Sequence, residues 1–201
     1  MMQLDTILIF LISVCVLTLS PGPDIIYVFF KSSTEGIKAG VKTVFGLTTG
    51  LIFHTLLLVF GISALIKSND NVFFILKLFG FLYFMFLAGN VFFRSKKSKS
   101  SSLVKTNNDF YVGLMMNLLN PKVSLFFIAL FPGFIFSDNI SIEIQFLVLG
   151  LIFWFTATLI FLTVVFISSR IKDKIQNLLE NRNIYYIQAI VFFLIAIWII
   201  K

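Results

Sequence analysis

Charge is scarce in this 201-residue chain: 12% of residues are charged, nine are acidic, and there is one histidine and one cysteine. A soluble domain carries about 25% charged residues, so the composition excludes an ordinary soluble fold. A single cysteine, Cys15, excludes an intramolecular disulfide; inside the first apolar run it reads as a small buried hydrophobe. Carboxylates, imidazoles and thiols are too few to furnish a multi-ligand metal centre, and neither a metal nor a cofactor is expected. No Walker-type phosphate loop is present, so ATP is not the direct source of energy for any work the chain does. The apolar runs do not alternate with period two, which excludes a membrane β-barrel. Lysine and arginine are missing before residue 31, and no small-x-small pattern closes the first run, so the N-terminus reads as a retained helix. The net charge of +7 does not point to nucleic acid, because the basic residues lie in short clusters and not on a face interleaved with aromatics.

What is present is apolar bulk. Hydrophobic residues make up 59% of the chain, with 27 phenylalanines, and the mean hydropathy is +1.01. Six runs approach the ~20 residues that cross a bilayer: Leu4–Phe30, Ala39–Ile66, Val72–Phe93, Phe110–Phe131, Ile142–Ser168 and Ile184–Ile200. The expected fold is an all-α integral membrane protein with six transmembrane helices in a single domain, residues 1–201. Lys31, Lys38 and Lys42 follow run one; Arg94, Lys96, Lys97, Lys99 and Lys105 follow run three; Arg170, Lys172, Lys174 and Arg182 follow run five. Positive-inside bias puts those three loops in the cytoplasm and both termini outside.

The two halves echo one another. Leu19-Ser20-Pro21 is matched by Leu119-Asn120-Pro121, and Gly50-Leu51-Ile52-Phe53 by Gly150-Leu151-Ile152-Phe153, both at an offset of one hundred residues. With three helices per half, residues of about 1–100 and 101–201 form inverted repeats with broken helices 1 and 4. That architecture is known among secondary transporters.

Both breaks hold polar chemistry. In Ser20-Pro21-Gly22-Pro23-Asp24 the prolines deprive the carbonyls of Leu17 and Leu19 of their usual donors. Gly22 permits close approach, Ser20 is placed to cap the second half-helix, and Asp24 falls in its first turn. Bare carbonyls on one side and a positive helix end on the other would suit a zwitterionic ligand; the alternative is a simple kink. Asn117, Asn120, Pro121 and Lys122 repeat the device in helix 4. Lys122 is either an intramembrane functional charge or a side chain snorkelling to the interface. In helix 2, Gly46 and Gly50 form a small-xxx-small pair for close packing, and His54 on the same face either relays protons or bonds a neighbouring carbonyl.

The runs S-P-G-P-D (20–24), G-I-K-A-G (36–40), G-L-T-T-G-L-I-F-H (46–54), L-K-L-F-G-F-L-Y (76–83) and N-L-L-N-P-K (117–122) together resemble the lysine exporter (LysE/RhtB) family. The resemblance covers nearly the whole chain in the expected order. It implies a six-helix exporter of amino acids or related small amino metabolites in the cytoplasmic membrane, driven by proton exchange. The chain departs from that family's usual residues at Asp24 (commonly Asn), Leu51 (often acidic or polar) and Ala88 (commonly Gly), and the first two bear on substrate charge or coupling.

The leading expectation is therefore a secondary exporter with a small-molecule substrate and the lipid bilayer as its partners, a homo-oligomer being left open. Ser20, Pro21, Gly22, Pro23, Asp24, Asn117, Asn120, Pro121 and Lys122 are its candidate binding residues. A metal or inorganic cation exporter is the first rival, thinly served by Asp24, His54 and Cys15. A non-transporting membrane protein or membrane enzyme is the second, and no nucleophile–base pair supports catalysis.

Overall fold

Backbone amides in hydrocarbon have no water to bind, so an apolar run must close its own hydrogen-bond ladder as a helix. A computed structural model describes residues 4–68, 70–93, 108–168 and 182–200, and all regular structure among them is helical. The elements are α1 (Leu4–Leu19), α2 (Pro23–Glu35), α3 (Ile37–Leu57), a π turn (Leu58–Ile62), α4 (Ser63–Ser68), α5 (Asp70–Phe93), α6 (Asp109–Leu118), α7 (Pro121–Leu130), a 3₁₀ turn (Phe131–Phe134), α8 (Ile142–Ser168) and α9 (Arg182–Ile200). Three stretches are long and apolar enough to cross a membrane: Ile37–Ile62, Asn71–Asn90 and Ile142–Ser168. The pairs α1–α2 and α6–α7 are bent by 57° and 52°, and counting each as one span gives up to five. In α9 the apolar stretch is shorter, Ala189–Ile199. The basic segments 94–107 and 169–181, which supply most of the topology count, lie outside the described residues.

Glycines decide how closely these helices approach. A Cβ at Gly46 of α3 would land on the Phe110 carbonyl oxygen of α6, and a Cβ at Gly113 of α6 would land on the Thr43 carbonyl oxygen of α3. The two helices therefore touch backbone to backbone, the approach that small residues permit in membranes. Gly80 of α5 lies in the same manner against the Ala129 carbonyl of α7, and Gly150 of α8 against the Thr55 side chain. The interior between them is aromatic. Phe126, Phe153, Phe127 and Phe131 form a chain of ring contacts, 5.6, 4.9 and 4.7 Å between successive centres, edge-on, tilted and stacked in turn.

Polar side chains inside the bundle mostly satisfy themselves locally. Ser13, Thr48, Thr55 and Thr158 donate back to the carbonyls of Ile9, Val44, Leu51 and Trp154, four residues earlier. Large apolar side chains such as Leu57, Phe60, Phe74, Phe86 and Leu151 cover the outside. That surface would aggregate in water and is solvated by lipid.

Two expectations need correction. Lys31 is not a solvated loop cation. It is fully buried on α2, 2.7 Å from Glu35 and 2.8 Å from Asp109 at the start of α6. Cys15 is only half-buried on α1.

Candidate functional site

Each break starts with a proline that cannot donate. Pro21 cannot serve the Leu17 carbonyl, and the Ser20 amide takes its place at 3.2 Å. Pro121 leaves the Asn117 carbonyl in the same position; it accepts from the Asn120 amide at 3.1 Å and faces His54 Nε2 at 3.4 Å. The carbonyls of Leu17 and Asn117 are thus taken rather than bare.

Ser20 does not cap the second half-helix, a further correction. The chain stays non-helical through Gly22, which is the N-cap residue and brings no side chain, and Pro23 begins α2. Proline is preorganised for a first helical position, so the restart is fixed by Pro23 and lies beyond the reach of Ser20. The α7 break is capped conventionally: Asn120 Oδ1 accepts from the Lys122 amide at 3.0 Å.

Ser20 and Asn120 each bind the charge of the opposite break. Asn120 Nδ2 donates to both carboxylate oxygens of Asp24 at 3.2 Å each. Lys122 Nζ donates to Ser20 Oγ at 2.9 Å. The Tyr83 hydroxyl of α5 donates to the Lys122 carbonyl at 3.2 Å, fixing the start of α7 from a third helix. Lys122 is therefore turned toward the first break.

Between the breaks lies a cleft of about 430 Å³, open mouth included. Of the residues singled out in the sequence, Ser20, Gly22, Pro23, Asp24, Asn117, Asn120 and Lys122 line it. Pro21, Pro121 and His54 are not among the lining residues: Pro21 is buried, Pro121 is exposed, and the His54 ring packs 5.3 Å from that of Phe127. Gly46 and Gly50 stand behind the wall, where Gly50 gives room to the buried Asn117 side chain, whose Oδ1 has no hydrogen-bond partner. Sequence reasoning singled out Leu51 but missed the rest of the apolar wall: Leu17, Val123, Phe153, Ala157 and Phe161. A second legible trace is the repeated Gly-Leu-Ile-Phe, which supplies Leu51 and Phe153.

The site combines one carboxylate, one ammonium, two amides and an apolar wall, buried among helices broken within the bundle. Such a set of groups can hold opposite charges and an apolar group at the same time. Residues 15–201 match the family model of the LysE type translocator. The chain belongs to that family and is a multi-pass protein of the cytoplasmic membrane. It is 31% identical to the membrane protein YrhP of Bacillus subtilis (strain 168) over 78% of this chain and 80% of that one. It is also 31% identical to a homoserine/homoserine lactone efflux protein of Salmonella typhimurium, over 70% and 69% of the two chains. Identity to a leucine efflux protein of Salmonella choleraesuis is 28% over 63% of this chain, a match that spans 61% of the relative's length. No solved structure matches the chain.

Proposed function

We propose that the chain exports amino acids or closely related amino compounds from the cytoplasm through the cleft between its two helix breaks. One observation carries this reading: a carboxylate and an ammonium line the same cleft, each held by a neutral side chain of the opposite break. A zwitterion can engage both at once. Its ammonium replaces part of the Asn120 contact on Asp24, while its carboxylate meets Lys122 and the first amides of α2. Gly22 leaves that helix start without a side-chain cap, and its positive dipole end favours an anion. Half-buried charges with ready alternative partners are suited to binding and release, because neither state strands an unpaired charge.

Membership of the family and the leucine and homoserine efflux relatives support amino-acid cargo. The equivalent bends at the two breaks and their crosswise contacts support an inverted repeat of three helices per half, with α9 as the sixth span. Export would be driven by protons entering as substrate leaves, and the loops after spans one, three and five would face the cytoplasm. A metal cation as cargo finds less support, since no group of three His, Cys, Asp or Glu side chains converges among the described residues.

The test is transport by purified protein in vesicles loaded with labelled amino acids, with and without an imposed pH gradient. Export that is accelerated by inward protons, and lost in Lys122→Met, is the expected result. Vesicles that retain every amino acid offered would overturn the proposal.

A further inference from the structure

Phe153, Ala157 and Phe161 stand four residues apart on α8, so they fall on one face of the helix, and all three line the cleft. The face is a notch: a methyl group between two aromatic side chains. The first ring cannot swing away, because it is wedged 5.6 Å from Phe126 and 4.9 Å from Phe127. Leu17, Leu51 and Val123 line the same cleft with aliphatic surface.

Resting on the export reading above, we infer that the cargo carries an uncharged aliphatic side chain seated in this notch over Ala157, which sets its permitted size. Three features exclude other side chains. The charged lining residues, Asp24 and Lys122, number one of each sign. Both are used by a zwitterion's own ammonium and carboxylate, so a lysine-like or glutamate-like side chain would have to be buried beside Leu51 and Phe153 without a counter-ion. A hydroxylated side chain seated in the notch would face no donor or acceptor on Phe153, Ala157 or Phe161; the polar groups Thr18 and Asn117, the latter with an unpartnered Oδ1, line the cleft from α1 and α6 instead. An alanine-sized side chain would leave the notch unfilled and forgo that apolar contact, and each methylene in such a pocket is worth a factor of about ten or more.

The experiment is competition in the vesicle assay: efflux of labelled leucine, against unlabelled alanine, valine, leucine, methionine, phenylalanine, homoserine, lysine and glutamate. Wild-type protein should favour leucine and methionine over alanine, homoserine, lysine and glutamate by at least tenfold. Ala157→Leu fills the notch and should reverse the order of leucine and alanine. Ala157→Gly deepens it and should raise competition by phenylalanine several-fold; it decides the matter if the leucine variant is not recovered. Preference for lysine, glutamate or homoserine, or an order that neither variant shifts, would overturn the notch while leaving amino-acid export standing. Failure to move any of these amino acids would overturn both.

Discussion

Asn120 grips Asp24 by both carboxylate oxygens, at 3.2 Å each, across 96 positions of sequence. The contact joins the first turn of α2 to the cap of α7, so the residue that starts one half-helix also anchors the charge of the other. A carboxylate at the start of a helix gains about 0.3–1 kcal/mol from the dipole at exposed sites, and Asp24 could be no more than such an end residue. Its place in a cleft within the helix bundle, lined also by Lys122, argues for more.

Asp24→Asn separates the two roles. The variant keeps the shape and can still bond Asn120, but it carries no charge to hold a cationic group or exchange a proton. Transport should fall at least tenfold, or lose its dependence on pH, while expression stays normal. Wild-type rates with an unchanged pH profile would reduce Asp24 to an end-cap.

The α3–α6 contact can be probed with glycines that differ only in their surroundings. At Gly46 an added Cβ would strike the Phe110 carbonyl, and backbone must move, an overpacking cost of about 1–3 kcal/mol. At Gly89 of α5 a Cβ would meet nothing within 4 Å. Gly46→Ala should lower the unfolding temperature in detergent. Gly89→Ala should leave it unchanged or raise it, alanine being the better helix former by about 0.5–1 kcal/mol.

Lys31 tests the worth of a buried ion pair. Asp109→Ala strips the fully buried ammonium of one of its two carboxylates and should destabilise the protein. Glu35 remains, so the loss should be less than the ~3–5 kcal/mol of a buried charge left with no partner. Removing the charge as well, in Lys31→Met with Asp109→Leu, should recover most of that loss. A double variant no more stable than the single one would show that the cost arises elsewhere.

His54 is expected to support structure rather than relay protons. Its Nε2 lies 3.4 Å from the Asn117 carbonyl, and it does not line the cleft. His54→Gln should keep pH-dependent transport, and His54→Leu should cost about 1 kcal/mol of stability for the lost polar contact. A flattened pH profile in the glutamine variant would reassign the residue to coupling.

Both breaks were legible because proline advertises a missing donor wherever it occurs. The pairing across them was not, since Asp24–Asn120 and Lys122–Ser20 exist only once glycine seams have brought α2 and α7 together. Ser20 was misread as a cap because a serine ahead of a helix ordinarily is one; the better signal was Gly22-Pro23, which moves the restart two residues on. Lys31 was counted with the loop cations although Glu35, four residues later, marked it as a pairing candidate on a helix. Ala157 left no trace at all. The helix carrying it is apolar on every side, so no periodicity distinguishes the face toward the cleft from the face toward lipid.

The glycine seam between α3 and α6 also has a mechanical meaning. Where side chains interdigitate, helices can slide by exchanging rotamers; where main chain meets main chain, as at Gly46 and Gly113, there is nothing to exchange. Those two helices form a single strut. Any motion that opens the cleft first to one face of the membrane and then to the other must be taken up outside the strut, at the short joints between α1 and α2 and between α6 and α7. The polar residues that line the cleft sit on those same joints, so under the proposed export, loading the cleft and flexing the molecule would be one mechanical event.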